Sequence, residues 1–340
     1  MRRAFSNSLS LPHRSHQSTL FKRSGSLPGA GQPRQPICAD FELLLATRIN
    51  VPVEQSLDDF LRLIFHRVDI MDLMVDPKKI RSRIYNLYSD AGGIHEQIEV
   101  EVAIQQARRG WLDMRQNLPE QLTRRAYFQH EKKISLNNPS IFKNSEIFLA
   151  LDLIDTFLYF PIASCNGKYR VYLNVAFGSM RDAIALTWKL RDEFKPNIQC
   201  VKIAGPGANR CDAVVIYCTT EQTAENIACN MLEYIKSGKL YCADQTVPAM
   251  TRRIGGGVSV GAEPYARETG FAEHLGRYRR TPPTVQCAHS FGSLRSEVIT
   301  EAIMKYRSNL HILGSGYTVF RQLVALSFLD YGLDPSRPDT

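Results

Sequence analysis

Lys168-Tyr169-Arg170-Val171-Tyr172-Leu173-Asn174-Val175 alternates polar and apolar side chains along its length. A period of two is that of an extended strand, and it sends Val171, Leu173 and Val175 to one face and Arg170, Tyr172 and Asn174 to the other. Downstream, Met180, Ala183, Ile184, Thr187 and Leu190, with Trp188 beside them, recur at helical spacing. An amphipathic helix is therefore expected to cover the apolar face. Residues 198–203 read as a second strand, with Ile198, Cys200 and Lys202 on one face and Val201 and Ile203 on the other. Gly205-Pro206-Gly207 then turns the chain, since Gly tolerates positive φ and Pro presets the turn, into a third strand from Ala213 to Cys218. Thr219 and Gln222 offer a capping box for a helix whose stripe is Ala224, Ile227, Ala228, Met231, Leu232 and Ile235. The unit is β-α-β-β-α, and one sheet face carrying Arg170, Tyr172 and Lys202 is expected to stay open for chemistry.

Upstream, Ser56 with Asp59 is expected to open a helix through Leu57, Phe60, Leu61, Ile64, Phe65, Val68 and Leu73. Asp76-Pro77 supplies an N-cap and a first-turn proline for a second helix through Ile80, Ile84 and Leu87, which Asp90-Ala91-Gly92-Gly93 ends. A third helix carries Ile98, Val102, Ala103 and Trp111, and a fourth is expected near Gln121 to Glu131. Residues 41–135 thus read as a helical region, joined through Asn137-Asn138-Pro139 to an αβ domain over 140–335. The fold class is α+β, an N-terminal helical region followed by a domain with a small mixed or antiparallel sheet. After the αβ unit, Gly255-Gly256-Gly257 lacks the GK[ST] ending of a phosphate-cradling loop, and a glycine-rich turn at a strand edge is the simpler reading. Arg277, Arg279 and Arg280 lie in a polar stretch beyond it. Two more helices follow, one with Leu294, Val298, Ile299, Ala302 and Ile303, the last through Phe320, Leu323, Val324 and Phe328 and stopped by Gly332 and Pro335.

With 340 residues and 44% hydrophobic content the chain can build a substantial core. Its formal charge is +8, but six basic residues, Arg2, Arg3, Arg14, Lys22, Arg23 and Arg34, precede the first acidic one, Asp40. The rest is only mildly basic, which argues against nucleic acid as a partner. The longest apolar stretch, 147–163, contains Asp152 and Asp155 and is too short to span a bilayer comfortably. The eight cysteines, Cys38 and Cys287 among them, show no C-x-x-C spacing, so reduced thiols are expected rather than zinc or a disulfide framework. Residues 1–40 combine Ser6, Ser8, Ser10, Ser15, Ser18, Ser24 and Ser26 with basic residues and a Gly/Pro-rich end. Such a segment cannot bury enough apolar surface to offset its ordering entropy, so it should be disordered. Its composition suits a type III secretion signal and equally a linker or tail.

The pieces Lys202 to Pro206, Asp212 to Tyr217, Gly257 to Pro264, Ser290 to Arg295 and Tyr331 to Pro335 occur in an order and spacing that resembles the HopA (HrmA, HopPsyA-like) family of type III effectors from plant-associated bacteria. The resemblance covers roughly residues 165–335. It implies a soluble protein exported into host cells, a secretion chaperone bound to the N-terminal region, and a fold similar to the phosphothreonine lyases, which remove phosphate from a host phosphoprotein by β-elimination. Such chemistry needs a base for the α-proton, an acid for the leaving phosphate and cations to neutralise it, and it needs no cofactor. On this resemblance Lys202 takes the place of the base, and Arg170, Arg210 and Arg295 form the phosphate-binding cluster. The lyases carry a histidine acid on the first strand. This chain has Tyr172 there, a weaker acid, and no histidine between His130 and His274.

Each of these residues also has a plain reading. Lys202, Arg170 and Arg210 would serve equally as solvated surface charges, and Arg295 as a residue pairing near a helix start. Cys287, His289 and Ser290 suggest a hydrolase constellation for which the sequence supplies no acid partner. Beside the phospholyase stand a noncatalytic effector that binds a host protein on the same scaffold and a lyase component of a peptide-modifying pathway.

Overall fold

The computed structural model describes residues 51–68, 76–89, 100–128, 134–138, 156–205, 210–263, 291–313 and 316–339. The serine-rich residues 1–40, the arginines at 277–280 and the Cys287, His289 and Ser290 group lie outside the described residues. Residues 50–340 cluster as one compact unit.

The elements in chain order are α1 (Gln55–Arg67), α2 (Pro77–Ser89), α3 (Val100–Asn117), α4 (Glu120–Thr123), β1 (Tyr127–Phe128), β2 (Ile134–Ser135), β3 (Phe157–Pro161), β4 (Tyr169–Leu173), α5 (Met180–Phe194), β5 (Ile198–Ala204), β6 (Val214–Cys218), α6 (Glu221–Lys236), β7 (Arg252–Gly255), β8 (Val258–Ala262), α7 (Phe291–Ser308), α8 (Leu310–Leu313) and α9 (Tyr317–Asp330). The β-α-β-β-α unit forms as its periodicity dictates. It is the centre of an eight-stranded sheet of order β2-β1-β3-β5-β6-β4-β8-β7, and every pairing is antiparallel. Three of the seven neighbouring pairs, β1–β2, β5–β6 and β7–β8, are consecutive in sequence, and the other four are crossovers.

Three local expectations change. The first helix is capped by Glu54, whose carboxylate accepts from the Ser56 and Leu57 amides, rather than by Ser56. The sixth is capped by Thr220, which accepts from the Thr223 amide, one residue beyond the expected Thr219. Where a fourth long helix was expected, the chain makes one short turn and a hairpin of two-residue strands that joins the sheet through β3.

The apolar face of the sheet carries Leu158, Phe160, Val171, Leu173, Val201, Ile203, Val214, Ile216, Val258 and Val260, all buried against α5 and α6. Ile198 joins this face, not the one shared with Lys202. A bulge between Ile198 and Cys200 pairs Ile198 with Cys218 and Cys200 with Tyr217, and one extra residue reverses the side on which Ile198 falls. Burying a side chain of this size is worth roughly 1.5–3 kcal/mol, enough to set the register.

The opposite face is the larger correction. Helices α2, α7 and α9 pack together, with α1 against α9, and Tyr88 of α2 and Phe291 of α7 lie against each other over Tyr172 of β4. Gly292 makes this approach possible, because an added Cβ would lie 2.4 Å from the Tyr88 ring. Arg170, Tyr172, Val215 and Ser259 are thereby buried. Phe157, Tyr159, Cys200, Lys202 and Tyr217, on the β3 side of the same face, remain half-buried. The face expected to be open is open over one half only.

Candidate functional site

Residues paired directly across antiparallel strands share a face. The register pairs Tyr159 with Lys202, Lys202 with Val215, Val215 with Tyr172, and Tyr172 with Ser259. Two residues along, Cys200 pairs with Tyr217 and Tyr217 with Arg170. Lys202, Tyr172 and Arg170 therefore lie on one face, as the alternation of their strands implied. Arg210, just before β6, reaches the same region: its guanidinium lies 5.3 Å from the Phe157 ring centroid, and the Lys202 Nζ lies 3.5 Å from that centroid.

Lys202 makes no hydrogen bond or ion pair with a described residue. Its contacts are the Phe157 and Tyr159 rings. Burial, with further repulsion from Arg170 and Arg210, pushes its amine down to about 7, against the opposing pull of Asp212. An amine so placed is about half neutral near physiological pH, the condition for a general base or a nucleophile.

The two flanking arginines are held by carboxylates. Asp212, almost fully buried, accepts from Arg210 Nε at 2.6 Å and from its terminal nitrogen at 2.9 Å. That pairing more than offsets the effect of burial on Arg210 and holds it charged. Tyr85 supplies its hydroxyl and ring to the same guanidinium. Arg170 is ion-paired with Glu263 and lies 4.6 Å over the Tyr217 ring. Its Nε is buried, as are the hydroxyls of Tyr88 and Tyr172, and none of the three has an acceptor at full hydrogen-bond geometry, although the groups lie close enough to perturb one another's protonation. These three atoms lie sealed in the covered half of the face.

Two of the expected site residues sit elsewhere in the layering. Tyr172 is 1% exposed, beneath Tyr88 and Phe291, and burial raises its hydroxyl further above the ordinary phenol value. Arg295 is 0% exposed. It stacks 3.5 Å over the Phe291 ring and donates to the carbonyls of Pro338 at 2.8 Å and Phe291 at 3.3 Å, and burial lowers it to about 10. It remains charged at neutral pH but tethers the C-terminal segment.

Asp212, Tyr85, Tyr88 and Phe157 belong to this region and were not singled out as site residues from the sequence. A signal existed for the first: Arg210 and Asp212 are opposite charges two residues apart in the turn that leads into β6, close enough to pair. Tyr85 and Tyr88, three apart on a helix, are neighbours on its surface for the same kind of reason. Phe157 carried no local mark. Six described cysteines are free, and burial pushes Cys200, beside Lys202 on the sheet, up to about 12, so its thiol is inert at neutral pH.

Comparison with known proteins bears on this arrangement. Solved effector structures resemble the fold, two of them as follows. The effector protein from Pseudomonas syringae pv. tomato strain DC3000 is similar at 17% identity with a TM-score of 0.50, over 84% of this chain and 95% of that one. The effector protein from Pseudomonas syringae pv. syringae strain 61 is similar at 12% identity with a TM-score of 0.51 and the same coverage. No curated protein matches the chain. Among the described residues, no helix is long and apolar enough to cross a membrane. The model of the HopA1 effector protein family matches residues 168–339, which spans β4 through the C-terminal segment and contains Arg170, Lys202, Arg210 and Asp212; the chain belongs to that family.

Proposed function

We propose that this effector is exported by a type III system into host cells, where the Lys202 face binds a phosphorylated host peptide and eliminates its phosphate. The observation that carries the reading is Lys202 itself, a half-buried amine lowered to about 7, without a polar partner among the described residues and flanked by two arginines. In the reaction the neutral Lys202 takes the α-proton of phosphothreonine or phosphoserine. The electron pair left on Cα forms the Cα=Cβ bond, the Cβ–O bond breaks, and phosphate departs with that bond's electrons. Arg170 and Arg210 meet its charge, so little protonation of the leaving group is required. Tyr172 and Arg295, both fully covered, support the cluster from beneath instead of touching the phosphate. Family membership and the composition of residues 1–40 support export. Residues 41–135 are the segment we assign to a secretion chaperone, as an accessory region ahead of the effector domain at 140–335.

The test is mass spectrometry of phosphothreonine and phosphoserine peptides incubated with the purified protein. Elimination leaves a dehydroamino acid one water lighter than the hydrolysis product, so a lyase, a phosphatase and a binder give different masses. Lys202→Ala is expected to abolish elimination, and elimination at full rate in that variant refutes the base. A second reading, a noncatalytic effector that binds a host phosphoprotein, is favoured by one observation: the position of the acid holds a buried tyrosine. Peptide binding without any product would establish it.

A further inference from the structure

The same amine has a second use, independent of elimination. A lysine nitrogen with a free lone pair either removes a proton or adds to a carbonyl, and a lysine beside other cations on an apolar wall is a recognised arrangement for the second. Here Phe157 forms the wall at 3.5 Å from Nζ. Arg210, at 5.3 Å from the same ring centroid, and Arg170, with its unpartnered buried Nε, flank it. Neither of the near neighbours on its strand competes: Cys200 is held as a thiol and Ile198 faces the other side of the sheet.

We infer that Lys202 is a carbonyl-capturing residue, forming a reversible imine with a small aldehyde that carries a phosphate group. The Nζ lone pair forms the N–C bond while the carbonyl π electrons move to oxygen. Both nitrogen protons pass through solvent to that oxygen, the first as the N–C bond forms and the second as the C=N bond closes, and the oxygen leaves as water. No oxidant or reductant enters. The phosphate is the recognition element, since it is the group the Arg170 and Arg210 guanidiniums complement, and the carbonyl is the reacting one.

The inference does not rest on the lyase reading, and the experiment separates the two. Full-length protein is incubated at about pH 7 with pyridoxal 5′-phosphate, or with pyridoxal lacking the phosphate, reduced with borohydride, digested and mapped. The apolar wall and the flanking arginines favour the neutral amine at Lys202, so it should be trapped roughly tenfold or more faster than the exposed Lys189 and Lys236. The phosphorylated aldehyde should outpace pyridoxal at Lys202 by a similar factor, and inorganic phosphate should protect Lys202 while leaving Lys189 and Lys236 unprotected. Equal labelling of the three lysines overturns the proposal, as does equal labelling of Lys202 by both aldehydes. Capture of Lys202 in a protein that eliminates nothing leaves this inference standing and removes the base. Elimination without capture does the reverse.

Discussion

Lys202 is costly to charge in the folded protein and free to charge in the unfolded chain. Its amine falls from 10.5 to about 7 on folding, so between those values the unfolded state binds a proton that the folded state does not. Stability from this group therefore rises with pH across that window, and the penalty is complete below about 7. Replacing it with Met, which keeps the stem and removes the charge, should stabilise the protein by roughly 1–3 kcal/mol at about pH 6 and by almost nothing near pH 10. Urea denaturation at the two pH values measures this, and a gain equal at both would mean that the amine titrates normally. Ion pairs differ in weight for the same reason of burial. Arg210–Asp212, with side chains 13% and 7% exposed, is a pair whose breakage strands a buried charge. Arg124–Glu120, at 69% and 74% exposed, is a solvated helix pair that contributes little.

At the scale of elements, the β7–β8 hairpin shows how a turn places a strand. Gly255, Gly256 and Gly257 all have positive φ, at 140°, 53° and 73°, a conformation open to glycine and strained for residues with a Cβ. Gly257 adds a steric demand, because a Cβ there would lie 2.7 Å from the Asp244 carbonyl oxygen and 3.2 Å from the Cys242 sulfur. That close approach lets the Gly257 carbonyl accept from the Asn174 amide at 2.9 Å, extending the β4–β8 pairing past its last strand residue. Gly257→Ala should cost about 2–4 kcal/mol, the left-handed penalty plus the displacement of backbone. A thermal shift of less than a few degrees for that variant would show that the loop yields.

Across the whole molecule, the last described residues close the structure from several sides. The Glu54 amide, at the start of α1, donates to the Pro335 carbonyl at 3.0 Å, and the Ala262 amide, at the end of β8, donates to the Asp339 carbonyl at 2.7 Å. Arg295 donates to Pro338 between them. Helix α9 ends at Asp330, and Gly332, with a φ of 71°, turns the chain back, with the Leu333 amide returning to the Phe328 carbonyl at 2.8 Å. Removing residues 335–340 would take acceptors from two amides and from a fully buried guanidinium at once. With each lost partner worth about 1–3 kcal/mol, the truncated protein should lose at least about 3 kcal/mol in chemical denaturation. An unchanged midpoint would mean that these contacts do not hold the C-terminal segment in solution.

Periodicity alone is enough for the β-α-β-β-α unit, α2, α7, α9 and the sharing of one face by Arg170, Tyr172 and Lys202, because strand and helix periods are local and need only a dozen residues to declare themselves. The eight-strand order, by contrast, was decided by tertiary structure. β1 and β2, two residues each, are too short to display a period and exist only because β3 offers them an edge. So was the side on which Ile198 falls, since a bulge is a property of the pairing and not of either strand. Whether the cationic face was open or covered depended on Tyr88 and Phe291, about 80 residues before and 120 after Arg170. Burial by a remote layer made Arg295 a tether of the C-terminal segment, and the Phe157 and Tyr159 rings of β3 with the arginines beside them made Lys202 a half-neutral amine, because the dielectric around a charge is set by what packs near it and not by its neighbours in sequence.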